Sequence, residues 1–153
     1  MRVVVALGGN ALQRRNEPLD PAHRQHNLER ACRAVAGLAH GHEIVVTHGN
    51  GPQVGLLALQ AAQAGAHDPL DVLVAESEGM IGYLLERGLS AELPGREIVA
   101  LLTQVEVDPA DPAFHAPSKP IGPLYRESEA KRLAAERSWT IMRDGDFFRR
   151  AVA

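Results

Sequence analysis

Three short stretches hold most of the residues able to do chemistry. The first is Thr47-His48-Gly49-Asn50-Gly51-Pro52-Gln53-Val54-Gly55, which follows the apolar run Ile44-Val45-Val46. Gly49 and Gly51 leave the backbone bare and free to adopt positive φ. Pro52 suits the opening turn of a helix, where its missing N–H costs nothing. Such a turn aims several backbone N–H groups and the positive end of a helix at one spot, which favours an anion. A tight strand-to-helix turn without a ligand accounts for the same residues. The second stretch repeats the design: Arg2-Val3-Val4-Val5-Ala6-Leu7 runs into Gly8-Gly9-Asn10. Two parallel strands that each end in a Gly/Asn turn place both turns at one carboxyl edge, where open α/β sheets bind ligands. Two small donor-rich loops side by side suit a compact anion, a carboxylate or a phosphate. The third is Pro117-Ser118-Lys119-Pro120-Ile121-Gly122-Pro123. Lys119, pinned among rigid residues, reads as a fixed cation over that anion site or as an ordinary solvated lysine. Composition alone favours the second.

Neither loop is a standard nucleotide motif. The glycines of residues 49–55 are spaced too widely for the dinucleotide fingerprint, and Pro52 intrudes. Neither lysine, Lys119 nor Lys131, follows P-loop glycine spacing.

The elements that must position these residues alternate between strand and helix, the pattern of a parallel α/β sheet. Residues 2–7 form the first strand, apolar on both faces. Residues 13–20 are a polar loop, and Asp20 caps a helix that opens at Pro21. Along it Leu28, Ala31, Cys32, Val35, Leu38 and Ala39 recur at helical spacing. Cys32 lies on that stripe as inert core. His40-Gly41-His42 closes the helix as a polar turn rather than a metal site. Residues 43–48 form the second strand, 52–64 a helix ended by Gly65, and 70–93 a further helix begun by Asp68-Pro69. Gly79 and Gly82 inside that helix carry an intrinsic cost of about 1 kcal/mol each. Close helix packing is the default reason, close approach to a ligand the other. Residues 97–103 predict a third strand, which 104–108 extend or pair back upon. The Pro-rich stretch 109–123 cannot join a central sheet and reads as an excursion, lid or small subdomain. Ser128 is expected to cap a short helix to Arg137, and residues 139–150 read as a hairpin turning at Asp144-Gly145.

The 153 residues, 45% apolar, suffice for one globular domain with a core. A net charge of −3 argues against a general nucleic-acid binder. The single cysteine excludes an intrachain disulfide and points to a reducing compartment. With no apolar run of spanning length and no room for a signal peptide before Arg2, the expected location is the cytoplasm, away from any membrane.

Taken together, five segments resemble the carbamate kinases of the amino-acid kinase family. They are Val4-Val5-Ala6-Leu7-Gly8-Gly9-Asn10-Ala11-Leu12, the loop of residues 47–55, and Glu76-Ser77-Glu78-Gly79-Met80-Ile81-Gly82-Tyr83, with Leu102-Thr103-Gln104-Val105-Glu106-Val107-Asp108-Pro109 and Lys119-Pro120-Ile121-Gly122-Pro123 following in family order. The resemblance implies a three-layer αβα sandwich with a mostly parallel sheet and a small Pro-rich protruding subdomain at residues 109–150. It implies phosphoryl transfer between ATP and carbamate, giving ADP and carbamoyl phosphate, with the reverse direction making ATP in arginine catabolism. It implies Mg²⁺ and a homodimer. Gly8, Gly9 and Asn10 match the first substrate-side loop, His48, Gly49, Asn50 and Gly51 the second, and Lys119 the lysine that reaches over the active site. Glu78 departs from a frequent glutamine, a change expected to matter little. Members of the family are longer. Their second half carries the nucleotide pocket, further phosphate loops and a second active-site lysine, none of which is found here. The chain is therefore expected to be the substrate-side half of such an enzyme, active only with a separate C-terminal half. The alternatives are an inactive fragment, a binding or dimerisation module, and a related kinase acting on another carboxylate.

Overall fold

The computed structural model describes residues 1–12, 20–66 and 68–153, with residues 9 and 10 described by backbone alone. The expected polar loop at 13–19 lies outside the described residues. The chain divides into two compact units, one of residues 1–54 and 74–103, the other of residues 55–73 and 104–153.

The first unit is built on two parallel strands, β1 (Arg2–Leu7) and β2 (Glu43–His48), paired in register from Arg2 opposite Glu43 to Leu7 opposite His48. Exposure alternates along both strands. Val5, Leu7, Ile44 and Val46 turn toward a core of Leu28, Cys32 and Val35 with Ile81, Leu85 and Leu89. A short helical turn, α1 (Gly9–Leu12), follows β1. The first three core residues come from α2 (Pro21–Leu38), whose N-cap Asp20 accepts a hydrogen bond from the His23 N–H at 2.9 Å. That bond holds the Asp20 carboxyl below its usual range, with the His23 side chain adding to the effect. The other three come from α4 (Leu70–Glu92). Along α4 the buried positions Leu73, Ser77, Ile81, Leu85 and Leu89 fall four apart, one face of a helix.

Two of the three glycines of α4, Gly82 and Gly88, serve packing, while a Cβ on Gly79 would meet only the Leu102 side chain at 4.0 Å. A Cβ on Gly82 would stand 3.0 Å from the Ala100 Cβ, and one on Gly88 only 2.7 Å from the Cys32 sulfur. Cys32 is core, and burial pushes its thiol pKa up.

The expected third strand at 97–103 does not form. The segment joins no ladder. Ile98 packs on the core while Val99 and Leu101 stay exposed. A cavity of about 550 Å³ lies among this segment, β2 and α4. The apolar, β-branched composition is strand-like, but propensity reports fit to a pleated surface and does not supply a hydrogen-bonding partner. Side chains hold the segment instead. Arg96 donates to the Ala39 carbonyl at 2.7 Å and to that of His42. Glu78 accepts from the Thr103 N–H at 3.0 Å and its hydroxyl at 3.3 Å.

The second unit contains the later part of α3 (Gly51–Gln63), which ends before Gly65 at φ +72°, and a three-stranded antiparallel sheet. Its strands β3 (Lys119–Tyr125), β4 (Ile141–Asp144) and β5 (Phe147–Val152) lie in the order β3-β5-β4. Pro120 and Pro123 enter β3 because it is an edge strand, where a missing N–H disrupts no inner ladder. The β3 register slips between Ile121 and Tyr125, and Gly122 takes φ +77° there. β4 and β5 form a hairpin through Gly145, at φ +63°. Between β3 and β4 runs α5 (Glu127–Arg137). Its N-cap is Arg126 rather than the expected Ser128, and no side chain caps it. Glu127 and Glu129 put negative charge in the first turn instead, which suits the helix dipole.

Candidate functional site

The parallel register decides the geometry of the two glycine loops. Because Leu7 pairs with His48, Gly8 and Gly49 leave the sheet side by side at its carboxyl edge. The Gly49 N–H donates to the Leu7 carbonyl at 3.2 Å, so the second loop is bonded to the strand that feeds the first. Beyond them α1 begins at Gly9, with Ala11 N–H on the Gly8 carbonyl at 2.8 Å. α3 begins at Gly51, with Val54 N–H on the Asn50 carbonyl at 2.9 Å. The first-turn N–H groups of α3 have no carbonyl within the helix to bond.

Gly8, Gly49 and Gly51 do not use the left-handed freedom open to glycine, since the glycines with positive φ are at 41, 65, 95, 122 and 145. A Cβ at any of the three would meet nothing within 4 Å. Neither backbone conformation nor packing of the described chain accounts for glycine there. Bare backbone at that edge permits close approach of another group.

Asn50 is fixed from below. Its side-chain amide donates to the Ser77 hydroxyl at 2.8 Å, and Ser77, wholly buried, donates onward to the Val74 carbonyl at 2.6 Å. One N–H of Asn50 is thus spent on holding the loop to α4. Half-buried His48 places Nδ1 3.4 Å from the Gly49 carbonyl. Gln53 is 8% exposed, and its side-chain carbonyl oxygen is buried with no hydrogen-bond partner among the described residues.

The structure thus brings Gly8, His48, Gly49, Asn50 and Gly51 to one edge of the first unit, with Gly9 and Asn10 opening α1 beside them. Lys119 belongs to the second unit, where it opens β3 as an exposed residue opposite Val152. Ser118 N–H donates to the Val152 carbonyl at 3.1 Å and anchors the chain one residue before it. Among the described residues no three His, Cys, Asp or Glu side chains gather as a metal site, and no helix is long and apolar enough to cross a membrane.

Sequence reasoning missed Ser77 and Arg96, and it noted Glu78 only as a departure of little consequence, not as the acceptor for Thr103. Ser77 carried a signal, a hydroxyl on the same four-residue spacing as Leu73 and Ile81. Glu78 and Arg96 act on backbone far along the chain and carried none.

The model of the amino acid kinase family matches residues 1–119. The chain belongs to the amino acid kinase family. This family member is 52% identical over 155 residues to a carbamate kinase of Haemophilus influenzae, covering 99% of its own length and 50% of that relative. It is 45% identical over 162 residues to a carbamate kinase of Pyrococcus furiosus, covering 99% of itself and 52% of that enzyme. Among solved structures, a carbamate kinase from Giardia lamblia bound to AMP-PNP superposes with a TM-score of 0.88 at 37% identity, over 99% of this chain and 51% of that one. The family member thus shares that α/β fold and spans about half the length of the curated relatives it matches.

Proposed function

We propose that this chain is the substrate-side half of a carbamate kinase, which transfers a phosphoryl group between ATP and carbamate. The observation that carries the reading is the pair of glycine loops at one sheet edge, with three glycines whose side-chain directions are empty. The identity with carbamate kinases supports it.

In this reading the loops of residues 8–10 and 48–51 hold carbamate, a planar anion, by backbone N–H groups. A carbamate oxygen forms a bond to the γ-phosphorus while the bond to the ADP oxygen breaks, and ADP leaves with that electron pair. Carbamate is already ionised, so the step calls for positioning and charge neutralisation more than for a general base. The Asn50–Ser77 bond supplies positioning by fixing the second loop. Lys119, on a protruding subdomain of residues 109–150, supplies positive charge against the transferring group. The nucleotide pocket lies in the half of the family fold that these 153 residues do not span. Mg²⁺ would be held chiefly by the nucleotide phosphates, where it would neutralise their charge. The complete enzyme is a cytoplasmic homodimer, and in arginine catabolism it runs toward ATP.

The test is ATP formation from ADP, Mg²⁺ and carbamoyl phosphate, first by the chain alone and then with the second half of a relative supplied as a separate chain. Activity that appears on complementation and falls at least a hundredfold in Lys119→Ala supports the reading. Complementation without activity, with both chains folded and associated, overturns it.

A further inference from the structure

The second unit holds a cavity of about 260 Å³ that phosphoryl transfer does not use. Its floor is a row of small side chains, Ala58, Ala61 and Ala62 of α3 and Ala66 just beyond. Ile121 and Tyr125 of β3 also line it. Its polar side is a three-residue stack. The Arg137 guanidinium lies 4.9 Å from the centre of the Trp139 ring, and that of Arg150 lies 5.0 Å from it. Asp68 is the one carboxylate among the described lining residues. Arg150 meets no carboxylate among the described residues.

These features select a chemical class. A guanidinium laid against an indole is oriented by the ring while its N–H groups stay available, and its planar fork matches a carboxylate. The walls are mostly aliphatic and give nothing back to a fully polar ion such as phosphate, but reward burial of hydrocarbon. The volume lies below the ~300–1,000 Å³ of sites for drug-sized ligands, so the occupant is small. We propose that this cavity is a second binding site, for a small organic carboxylate with a flat apolar body. The carboxylate pairs with Arg150, and the body lies over the alanine floor beside Trp139.

Trp139 is the only tryptophan, so its fluorescence reports the cavity directly. The probe is 3-phenylpropionate, titrated into the full chain, with 3-phenylpropanamide and inorganic phosphate as comparisons and equilibrium dialysis as an optical-independent measure. The expected result is saturable binding of the carboxylate, weakened at least about tenfold in the amide and in Arg150→Gln, and partly kept in Arg150→Lys. Ala62→Phe, which fills the floor without changing a charge, should abolish binding. Circular dichroism checks that each variant is folded. Absence of saturable binding overturns the proposal, as does phosphate binding as tightly as the probe, or wild-type affinity in folded Arg150→Gln. None of these readouts involves ATP or carbamoyl phosphate, so the outcome is independent of the phosphotransfer reading.

Discussion

Asn50 and Ser77, 27 residues apart, are joined by a 2.8 Å hydrogen bond that ties the second glycine loop to the buried face of α4. Ser77→Ala leaves the Asn50 amide without its partner in a half-buried place. The expected cost is about 1–3 kcal/mol of unfolding free energy, read from urea denaturation. Asn50→Ala should cost no more than this, and the double variant should cost less than the sum of the two single changes. Full additivity would mean that the bond does not couple the loop to the helix.

Gly88 gives the sharpest packing test. Its missing Cβ would stand 2.7 Å from the Cys32 sulfur, so Gly88→Ala should destabilise by about 1–3 kcal/mol despite the better helix propensity of alanine. Cys32→Ala vacates that space and should recover much of the loss in the double variant. A stabilised Gly88→Ala would show that α2 and α4 stand further apart.

The Cys32 thiol, 1% exposed and with its pKa raised by burial, is expected to resist disulfide reagents in the folded chain at pH 8 and to react at once in urea. Fast modification without denaturant would show that the helix pair opens readily.

At the start of α2, the Asp20 carboxyl has its pKa lowered chiefly by the His23 N–H. The folded pKa lies below the unfolded value, so the stabilisation is fully present above the ordinary carboxylate range of about 4 and fades as pH falls through the folded pKa. Asp20→Asn keeps a capping oxygen but removes the charge. Its urea midpoint should therefore depend less on pH between about 5 and 2 than that of the parent. Identical pH profiles would exclude this carboxyl as a source of acid sensitivity.

Glu78 holds Thr103 through both backbone and hydroxyl. Glu78→Ala should speed amide hydrogen exchange at Thr103 at least tenfold while leaving β1 and β2 protected. Glu78→Gln, which keeps one acceptor, should fall between. Unchanged exchange in Glu78→Ala would mean that Arg96 alone anchors the segment.

What could be read from the sequence was what local chemistry encodes. Asp20-Pro21 marks the start of α2, Gly65 the end of α3, and Gly145 the hairpin, each by a residue whose backbone or capping preference acts within a few positions. The two loops were legible because glycine and asparagine after an apolar run signal a strand end wherever they occur. Residues 97–103 misled because strand-like composition is local and a ladder partner is not. Ser128 misled because several polar residues compete near Arg126, and acidic side chains in the first turn serve the helix end without a capping hydroxyl. The roles of Glu78 and Arg96 depend on contacts with Thr103, Ala39 and His42 that no periodicity announces.

The unladdered segment at 97–103 also has a colloidal consequence. Val99 and Leu101 are 75% and 79% exposed in a stretch of β-prone residues. Such a stretch templates strand addition from a second copy, and concentrated solutions of the chain should cloud through it. A charged gatekeeper at position 101, Leu101→Lys, would interrupt that growth without touching Ile98, the residue that packs on the core.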